Sequence, residues 1–563
     1  MDFDAIVVGS GISGGWAAKE LCERGLKTLL IERGRNVTHR DDYSDFATPW
    51  QVQNRGRVAE DEAAEHYAIQ STCHAFNSAT RQWWVRDSEH PYATPGDRPY
   101  NWIRGYHLGG RSITWGRQTY RMSDVDFNAN KVDGHGIDWP IRYADIQPWY
   151  DRVERFAGIS GANEGLEQLP DGQFLPPLDL NCLEVAFKQR VEEYYPTRRV
   201  TPGRCAHLTE PSAEHIALGR GPCQSRNVCE RGCGYGAYFS SLSATLPAAR
   251  KTNNLTVVTD AIVERLDYDH IKRRVSGVRV IDSKTKQGRS YQARVVFVCA
   301  STVATTQILL ASQSEYYPRG LANRSDTLGR HLMDHVVGIG ATGTHPGFLD
   351  RYYYGRRPTG FYVPRYINIT ENADVDFVRG FGFQGYSCRS TWQRGEHEAG
   401  VGAELKQRLR EPGRWEMTLV GFGEMLPRAD NRVTLDENRR DSWGIPLVHI
   451  DCTHAENERR MAERANQDAV RMLIAAGFEN VTPFGAIRPP GSSVHEMGTA
   501  RMGRDPSTSV LNGHNQAHDI PNLFITDGSC MTSTGSVNPS LTYMALSARA
   551  ANHAADLLAS GEI

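Results

Sequence analysis

The sequence predicts an α/β fold in which a domain built on a parallel sheet is interleaved with an α+β domain built on an antiparallel sheet. Two observations predict this fold. The chain begins with an apolar run at residues 3–8, a glycine-rich turn, a helical stretch and a second apolar run that ends at Ile31, which is the strand–helix–strand pattern of a parallel sheet. Residues 336–489 instead carry aromatic and polar strands with a helix near residues 456–476, as is typical of an antiparallel domain.

Composition and charge exclude several classes of protein. The 563 residues include 64 Lys and Arg against 66 Asp and Glu, so no basic field favours nucleic acid and no polybasic patch favours a membrane surface. A long uncharged stretch, residues 528–548, contains Asn538 and Pro539; a bilayer core disfavours both, and we expect no membrane span. The acidic N-terminus lacks the positive charge of a secretory signal. The length predicts two or three domains.

The first glycine-rich turn has the features of a dinucleotide-binding site. Gly9 permits the tight turn after the first strand, Gly11 lets the backbone approach a pyrophosphate, and Gly14 allows the helix to pack closely. Glu32 ends the second strand 23 residues after Gly9, where a carboxylate accepts hydrogen bonds from a ribose. This spacing predicts a bound dinucleotide, with a purely structural glycine turn as the alternative. It does not choose between NAD and FAD.

A second polar turn lies near the carboxyl end of the chain. A short strand predicted over residues 522–526 runs into Asp527, whose turn suits a ribityl chain or a pyrophosphate. A helix follows, and we expect Asn538 at its N-cap and Pro539 at its first helical position. The N-terminus of this helix carries the positive end of the helix dipole, which then faces the residues that precede the helix. One stripe of this helix is apolar and faces the core: Leu541, Met544, Ala548, Ala551, Ala555 and Leu558.

The middle of the chain predicts a meander of three strands over residues 254–302. Its apolar runs are LTVVTDAIVERL, VSGVRVID and YQARVVFVCAS, and polar turns separate them. A helix is expected from Thr302 to Ala311. The aromatic and polar strands of the later block are RYYYG, GFYVPRYINI, WEMTLVGFGEML, RVTLDE and IPLVHID, and we interpret this block as a substrate domain.

Five segments together resemble the glucose–methanol–choline (GMC) oxidoreductases, flavoproteins that oxidise alcohols. They are the opening glycines, residues 105–116 (GYHLGGRSITWG), residues 329–335 (GRHLMDH), the HxxGTxxMG pattern that starts at His495, and residues 527–542. The resemblance spans nearly the whole chain and implies that the dinucleotide is FAD. It also implies that His495 is the catalytic histidine and that Asn538 occupies the second catalytic position.

The chemistry of alcohol oxidation suits these two residues. A hydroxyl proton and a carbon-bound hydride must leave the substrate, and the hydride goes to the flavin N5. An imidazole, with an unperturbed pKa of about 6.5, accepts a proton near neutral pH. Asn538 would hold the substrate oxygen by a hydrogen bond without titrating. The alternatives are a structural role for His495 and a plain helix cap for Asn538.

The resemblance further implies which residues contact FAD. The meander would bring Ala261 or Ile262 near the adenine. Some relatives carry a histidine after the second glycine pair that binds FAD covalently; residues 112–115 (SITW) contain none, so we expect non-covalent FAD. The predicted cofactor-binding residues are Gly9, Gly11, Ser13, Gly14, Glu32, Arg33, Gly109, Gly110, Ser112, Trp115, Gly116, Ala261, Ile262, Ala300, Asp527, Asn538, Pro539 and Thr542.

One glycine-containing loop supplies three thiols, Cys223, Cys229 and Cys233, within eleven residues. Structural zinc usually takes four ligands, and Cys205 is the nearby fourth candidate; a disulfide would leave one thiol over. An iron–sulfur cluster is the third interpretation, since arginines around the loop would offset its charge: Arg220, Arg226 and Arg231. A branch of bacterial FAD sugar dehydrogenases in the GMC family carries a three-iron cluster on cysteines at this spacing, which implies a [3Fe-4S] cluster here.

The resemblance implies a Rossmann-like FAD-binding domain, of the type shared by GMC enzymes and p-hydroxybenzoate hydroxylase. We expect this domain to be discontinuous. It comprises residues 1–40, 95–125, 218–335 and 490–563, while residues 41–94, 126–217 and 336–489 form the substrate-binding domain and its insertions.

Together with the cluster, the resemblance implies an FAD-dependent sugar dehydrogenase, similar to the catalytic subunits of glucoside 3-dehydrogenases. It would oxidise a secondary hydroxyl, by preference at C3, and pass electrons to a partner. That partner is expected to be a small companion subunit bearing the export signal, a cytochrome, or both. Export with the companion would bring the enzyme to the periplasm; a cytoplasmic enzyme is the alternative. The rival functions are a family oxidase that forms hydrogen peroxide and a zinc-stabilised, non-catalytic binding subunit.

Overall fold

The computed structural model describes residues 2–352, 360–369, 376–391, 394–395 and 398–563. Its strands are β1 (Phe3–Val8), β2 (Thr28–Ile31), β3 (Thr201–Pro202), β4 (Leu255–Val258), β5 (Ala261–Asp269), β6 (Arg274–Asp282), β7 (Gly288–Val298), β8 (Arg330–Met333), β9 (Val336–His345), β10 (Phe361–Val363), β11 (Phe381–Arg389), β12 (Trp415–Gly423), β13 (Arg432–Arg440), β14 (Pro446–Asp451), β15 (Glu479–Pro483), β16 (Met497–Thr499) and β17 (Leu523–Ile525). Its α-helices are α1 (Ile12–Glu23), α2 (Glu60–His66), α3 (Asp124–Phe127), α4 (Ala129–Asp133), α5 (Tyr143–Ala157), α6 (Cys182–Tyr194), α7 (Ala213–Ala217), α8 (Leu246–Lys251), α9 (Thr302–Ala311), α10 (Gly402–Arg410), α11 (Glu456–Ala475) and α12 (Ser540–Ser560).

The predicted parallel sheet is present, with strands in the order β4-β2-β1-β7-β17. β1 lies between β2 and β7, because its residues 5–8 are apolar and can be buried on both faces of the sheet. α1 follows the glycine turn and buries Trp16 and Leu21. The first strand covers the residues that the sequence predicted.

The predicted three-stranded meander is four strands. The apolar run expected as one strand breaks at Asp260, whose φ of +54° turns the chain. β4, before the break, joins β2 in the parallel sheet, and β5, after it, pairs antiparallel with β6. The prediction was wrong at this point because apolar residues continue on both sides of the break.

β7 belongs to both kinds of sheet. Its residues 288–292 pair antiparallel with β6, while its residues 293–298 pair parallel with β1. β17 adds to the far side of the same parallel half. The antiparallel strands β5 and β6 are therefore fixed to the edge of the parallel core.

The second sheet is antiparallel, in the order β15-β9-β12-β11-β10-β3. α11, predicted near residues 456–476, packs on it through a buried stripe that includes Met461, Ala465 and Ala469. This pairing of an amphipathic helix with an antiparallel sheet agrees with the predicted α+β architecture. The strand predicted at residues 351–355 lies largely outside the described residues.

A third, smaller sheet, β14-β13-β8-β16, matters most for the site. β8 and β16 pair antiparallel, with Met333 opposite Met497. His335 follows the first of these methionines by two positions, and His495 precedes the second by two positions. Extending the same register brings the two histidines side by side.

The long C-terminal helix begins one residue later than predicted. α12 starts at Ser540, and Pro539, not Asn538, is its N-cap. The Asn538 side chain cannot cap the helix because it is bonded to Gln384 and His495 instead. In the described part of the chain, we find no helix with the length and apolar character needed to cross a bilayer.

Candidate active site and cofactor cavity

A cavity of about 600 Å³ lies at the carboxyl ends of the parallel strands, beside the N-terminus of α1. Open parallel sheets bind their ligands at this edge. Gly9 and Gly11 form the wall after β1, and Ala300 forms it after β7. Gln384 and Phe422, from the antiparallel strands β11 and β12, line the opposite wall. The cavity is thus bounded by both kinds of sheet.

Most of the predicted cofactor-binding residues line this cavity: Gly9, Gly11, Ser13, Glu32, Arg33, Gly110, Ser112, Trp115, Gly116, Ala261, Ile262, Ala300, Asp527, Asn538 and Pro539. Gly14, Gly109 and Thr542 are not part of its wall. A Cβ atom on Gly14 would collide with the carbonyl oxygen of Gly9. Thr542 Oγ1 lies 2.8 Å from the Tyr150 hydroxyl oxygen in a buried hydrogen bond. These residues support the wall from behind.

Glu32 is held at the rim by hydrogen bonds from its neighbours. Its Oε1 accepts from the Gly34 amide at 2.8 Å, and its Oε2 accepts from the Ser10 hydroxyl at 2.5 Å. Ser10 Oγ also accepts from the Gly109 amide at 2.9 Å. Ser10 therefore joins the two glycine-rich segments, a role that the sequence did not indicate because Ser10 occupies a variable position of the glycine motif.

His495 and Asn538, the two predicted catalytic residues, lie in contact with each other. His495 Nε2 is 3.3 Å from Asn538 Nδ2, and both residues line the cavity. Asn538 Oδ1 accepts a 2.5 Å hydrogen bond from Gln384 Nε2. The amide oxygen is thereby occupied, so the amide nitrogen points its protons at His495. The Phe422 ring lies 5.7 Å from the His495 ring and adds an apolar neighbour.

The pKa of His495 is held well below its ordinary value of 6.5, chiefly by burial, with smaller contributions from His335 and Arg111. His335 Nδ1 lies 2.9 Å from His495 Nδ1. Burial also lowers the pKa of His335. Both imidazoles are therefore neutral near neutral pH, and His495 is available as a base.

A buried carboxylate fixes the backbone in front of His495. Asp334 Oδ1 accepts from the His495 amide at 3.1 Å, and Asp334 Oδ2 accepts from the Gly491 and Ser493 amides at 2.7 and 3.2 Å. Burial raises the pKa of Asp334 to about 6. The residue before His335 thus holds the segment that carries His495.

Arg111 and Glu496 form an ion pair at the cavity wall that sequence reasoning did not single out. Arg111 Nη2 lies 2.8 Å from Glu496 Oε2 and also donates to the Ser301 hydroxyl. Both residues occur within segments that were recognised, but at positions without a family pattern. Gln384 and Phe422 gave no sequence signal, since only pairing within the antiparallel sheet brings them to the cavity.

The cysteine loop lies against the same cavity. Cys229 and Arg117 line the wall, whereas Cys223 and Cys233 do not. All three thiols are free, and burial raises the pKa of Cys223 and of Cys229. Cys229 Sγ is 3.8 Å from His207 Nε2.

Two of the arginines that were predicted to offset the charge of a cluster are bonded to other groups. Arg220 donates to the Gly236 and Ala157 carbonyl oxygens, and Arg226 pairs with Asp45 at 2.5 Å. Arg117 was not predicted, yet its Nε and Nη1 are buried without a hydrogen-bond partner among the described residues.

These residues fit an iron–sulfur cluster in chemistry but not in spacing. Three thiols suit an anionic cluster, and so does the Arg117 guanidinium, whose Nε and Nη1 lack a hydrogen-bond partner among the described residues. Within the described ranges, however, no three His, Cys, Asp or Glu side chains converge closely enough to hold a metal ion. The loop supplies the ligand types without a preformed site.

Comparison with known proteins agrees with the fold. Residues 3–337 and 427–547 match the N-terminal and C-terminal sequence models of the GMC oxidoreductases. The chain belongs to this family: it is a FAD-binding oxidoreductase that acts on CH–OH groups.

The chain is similar over almost its full length to several curated relatives. It is 28% identical to 2-methyl-1,2-propanediol dehydrogenase of Mycolicibacterium austroafricanum, over 98% of this chain and 94% of the relative. It is 25% identical to the fructose dehydrogenase large subunit of Gluconobacter japonicus, over 98% and 97%. It is 26% identical to paromamine 6'-oxidase of Streptomyces fradiae, over 99% and 92%. Among solved structures, pyridoxine 4-oxidase from Mesorbium loti matches with a TM-score of 0.60 at 17% identity, covering 98% of each chain.

Proposed function

We propose that this protein uses non-covalently bound FAD to oxidise a secondary hydroxyl of a sugar or glycoside, with C3 favoured, to a ketone. The observation that carries the proposal is the neutral, partly buried His495 beside the Asn538 amide, both facing a cavity lined with the predicted FAD contacts. The names of two relatives, fructose dehydrogenase and paromamine 6'-oxidase, support a carbohydrate-like substrate.

Bound FAD supplies the acceptor for the hydride. The residues of the chain do the rest. His495 Nε2 takes the hydroxyl proton, and Asn538 Nδ2 donates a hydrogen bond to the same substrate oxygen. Phe422 places an apolar ring beside the base, which would limit access of water to it. The substrate would lose its hydroxyl proton to His495 and leave as a ketone, with bound FAD supplying the two-electron acceptor.

The turn after β1 would hold the pyrophosphate of FAD. Gly11 adds no side chain there, and the first amides of α1 point toward the cavity. Glu32, fixed by Ser10 and Gly34, would accept hydrogen bonds from the adenine ribose. The absence of a histidine at residues 112–115 supports non-covalent binding.

We propose further that Cys223, Cys229 and Cys233 would hold a [3Fe-4S] cluster once the three thiols converge, and that this cluster would supply a one-electron route out of the flavin. The position of Cys229 at the cavity wall supports this assignment, as do Arg117 Nε and Nη1, which lack a hydrogen-bond partner among the described residues. The acceptor would be a small companion subunit, a cytochrome, or both, in the periplasm after export with the companion. Iron and sulfide analysis with electron paramagnetic resonance tests the cluster; zinc without iron would reject it.

The test of the main reaction is anaerobic incubation of the FAD-loaded protein with a panel of glycosides and simple alcohols. Bleaching of the flavin identifies the substrate, and product analysis locates the new carbonyl. Slow reoxidation in air is expected of a dehydrogenase, whereas rapid peroxide formation would identify an oxidase. Bleaching by simple diols alone would reject the sugar substrate.

A further inference from the structure

We propose that His335 is a positioning residue that fixes the tautomer of His495, so that Nε2 of His495 faces the substrate as an unprotonated base. The inference rests on the proposed function for its consequence in catalysis. For the tautomer itself it rests on hydrogen-bond geometry together with the neutral state of His335.

The fold forces the two imidazoles together. The antiparallel pair of β8 and β16 sets Met333 opposite Met497, and each histidine lies two residues beyond its methionine, on the same side of that pair. The Asp334 carboxylate then fastens the His495 backbone to the β8 segment. The result is a 2.9 Å contact between the two Nδ1 atoms.

The proton positions follow from the outer partner of His335. His335 Nε2 lies 2.8 Å from the carbonyl oxygen of Gly535. A carbonyl oxygen only accepts hydrogen bonds, so Nε2 of His335 must carry the ring proton. A neutral imidazole has one such proton, and therefore Nδ1 of His335 can only accept. His495 must then donate from its own Nδ1.

The opposite side of His495 leads to the same tautomer. Gln384 donates to Asn538 Oδ1 at 2.5 Å, which leaves Asn538 Nδ2 as the group that faces His495 Nε2 at 3.3 Å. A donor at that position requires an unprotonated Nε2. Two series of hydrogen bonds, one ending at Gly535 and one at Gln384, therefore both place the lone pair of His495 on Nε2.

Among the residues that the structure describes, no carboxylate contacts either ring. Arg111 and His335 are the groups whose charge bears on His495, and Arg111 is neutralised in part by Glu496 at 2.8 Å. Glu424 bears on His335, and within the described part of the chain the Asp334 carboxylate accepts hydrogen bonds from backbone amides and from Ser493. Orientation of the base therefore depends on a neutral imidazole and a carbonyl group, in contrast to sites where a carboxylate orients the histidine.

A matched pair of variants tests the inference. His335→Asn keeps an acceptor near the position of Nδ1, whereas His335→Leu keeps the approximate size and removes the acceptor. We expect His335→Leu to slow anaerobic flavin reduction by about 10²-fold, because His495 can then adopt the tautomer with Nε2 protonated. His335→Asn should remain within about tenfold of the wild type. Equal losses in the two variants, or no loss in His335→Leu, would overturn the assignment.

A second measurement does not depend on activity. In the FAD-loaded protein labelled with ¹⁵N-histidine, long-range ¹H–¹⁵N correlations distinguish the two tautomers, and the His495 signal is the one missing from His495→Gln. We expect a protonated Nδ1 for His495 in the wild type. A protonated Nε2 there would refute the inference even if His335→Leu failed to fold. If the wild type oxidises no alcohol, the proposed function fails, yet this spectrum still decides the tautomer.

Discussion

The neighbours of His495 determine how it behaves as a base. Its burial, and the nearby Arg111, keep its pKa well below 6.5, which favours the neutral ring over a wide pH range. A lowered pKa also makes the imidazole a weaker base, so the hydroxyl proton must be drawn off together with the departing hydride or by a well-placed hydrogen bond. The Asn538 amide is positioned to give that bond.

The first prediction concerns pH. Because the pKa of His495 is lowered, the neutral base persists as the pH falls through 6.5 and is lost only below that value. The rate of anaerobic flavin reduction should therefore stay constant from about pH 8 to about pH 6.5. Stopped-flow absorbance at saturating substrate measures this rate. An acid limb centred at or above pH 6.5 would contradict the lowered pKa.

The second prediction concerns removal of the base. His495→Gln should retain FAD but lose flavin reduction by about 10²–10⁴-fold, the usual contribution of a general base. His270→Gln is the matched control, since His270 is exposed on the β5–β6 turn and its ring stacks on Tyr316. The control should be unchanged in rate and in FAD content. Near-normal turnover in His495→Gln would remove this residue from the mechanism.

At the scale of elements, the turn between β1 and α1 separates two functions of glycine. A Cβ on Gly11 meets no atom within 4 Å, whereas a Cβ on Gly14 would collide with the Gly9 backbone. Gly11 thus leaves room for a ligand, while Gly14 leaves room for the protein itself. The two positions are three residues apart and can be tested side by side.

The third prediction follows from this contrast. Gly11→Ala should weaken FAD binding and leave the thermal stability of the FAD-free protein nearly unchanged, because the added methyl enters the open cavity. Gly14→Ala should lower both, with a loss of stability of about 1–3 kcal/mol from overpacking. FAD titration and thermal melts of the FAD-free proteins measure the two effects. A destabilised FAD-free Gly11→Ala protein would show that the turn, not the ligand, requires this glycine.

The strand–helix–strand unit, the antiparallel block and the long helices could be predicted from periodicity, because local apolar patterns determine them. The split of the predicted strand at Asp260 could not, since the run of apolar residues hides a single residue with positive φ. The prediction of Asn538 as the N-cap of α12 was wrong, because a local pattern does not reveal that this side chain bonds to Gln384 and His495.

Only the site residues that lie within recognised motifs could be predicted from the sequence. His495, Asn538 and most of the predicted FAD contacts lie in recognisable segments and line the cavity. Gln384 and Phe422 face it only because β11 and β12 pair within the second sheet. His335 belongs to a recognised segment, but its role requires the register of β8 and β16, which no pattern in the sequence encodes.

At the scale of the whole molecule, the proposed route for electrons runs from the cavity to the loop that contains Cys229. Substrate oxidation and electron exit then use different residues and can be separated. The loop is fastened through Asp45, which pairs with Arg226 and accepts from the Gly234 amide at 2.8 Å. This anchor does not involve Cys229.

The fourth prediction tests this separation. Cys229→Ser should leave anaerobic flavin reduction by substrate near the wild-type rate but slow electron delivery to a protein acceptor such as cytochrome c. Cys182→Ser, at the start of α6, is the matched control and should affect neither step. Paired measurements of flavin bleaching and acceptor reduction resolve the two steps. If Cys229→Ser supports full acceptor reduction, the loop is not on the path.

The two ends of the chain meet in the packing of α1 against α12. Asn552 Nδ2 donates to Glu20 Oε2 at 2.8 Å although 532 positions separate them, and Arg24 pairs with Asp556 across the same seam. During translation the ribosome therefore releases the glycine turn first and the Asn538 wall of the cavity last. A nascent chain cannot close the cavity until the ribosome has made α12, so we expect stable retention of FAD only after translation has passed Asn538.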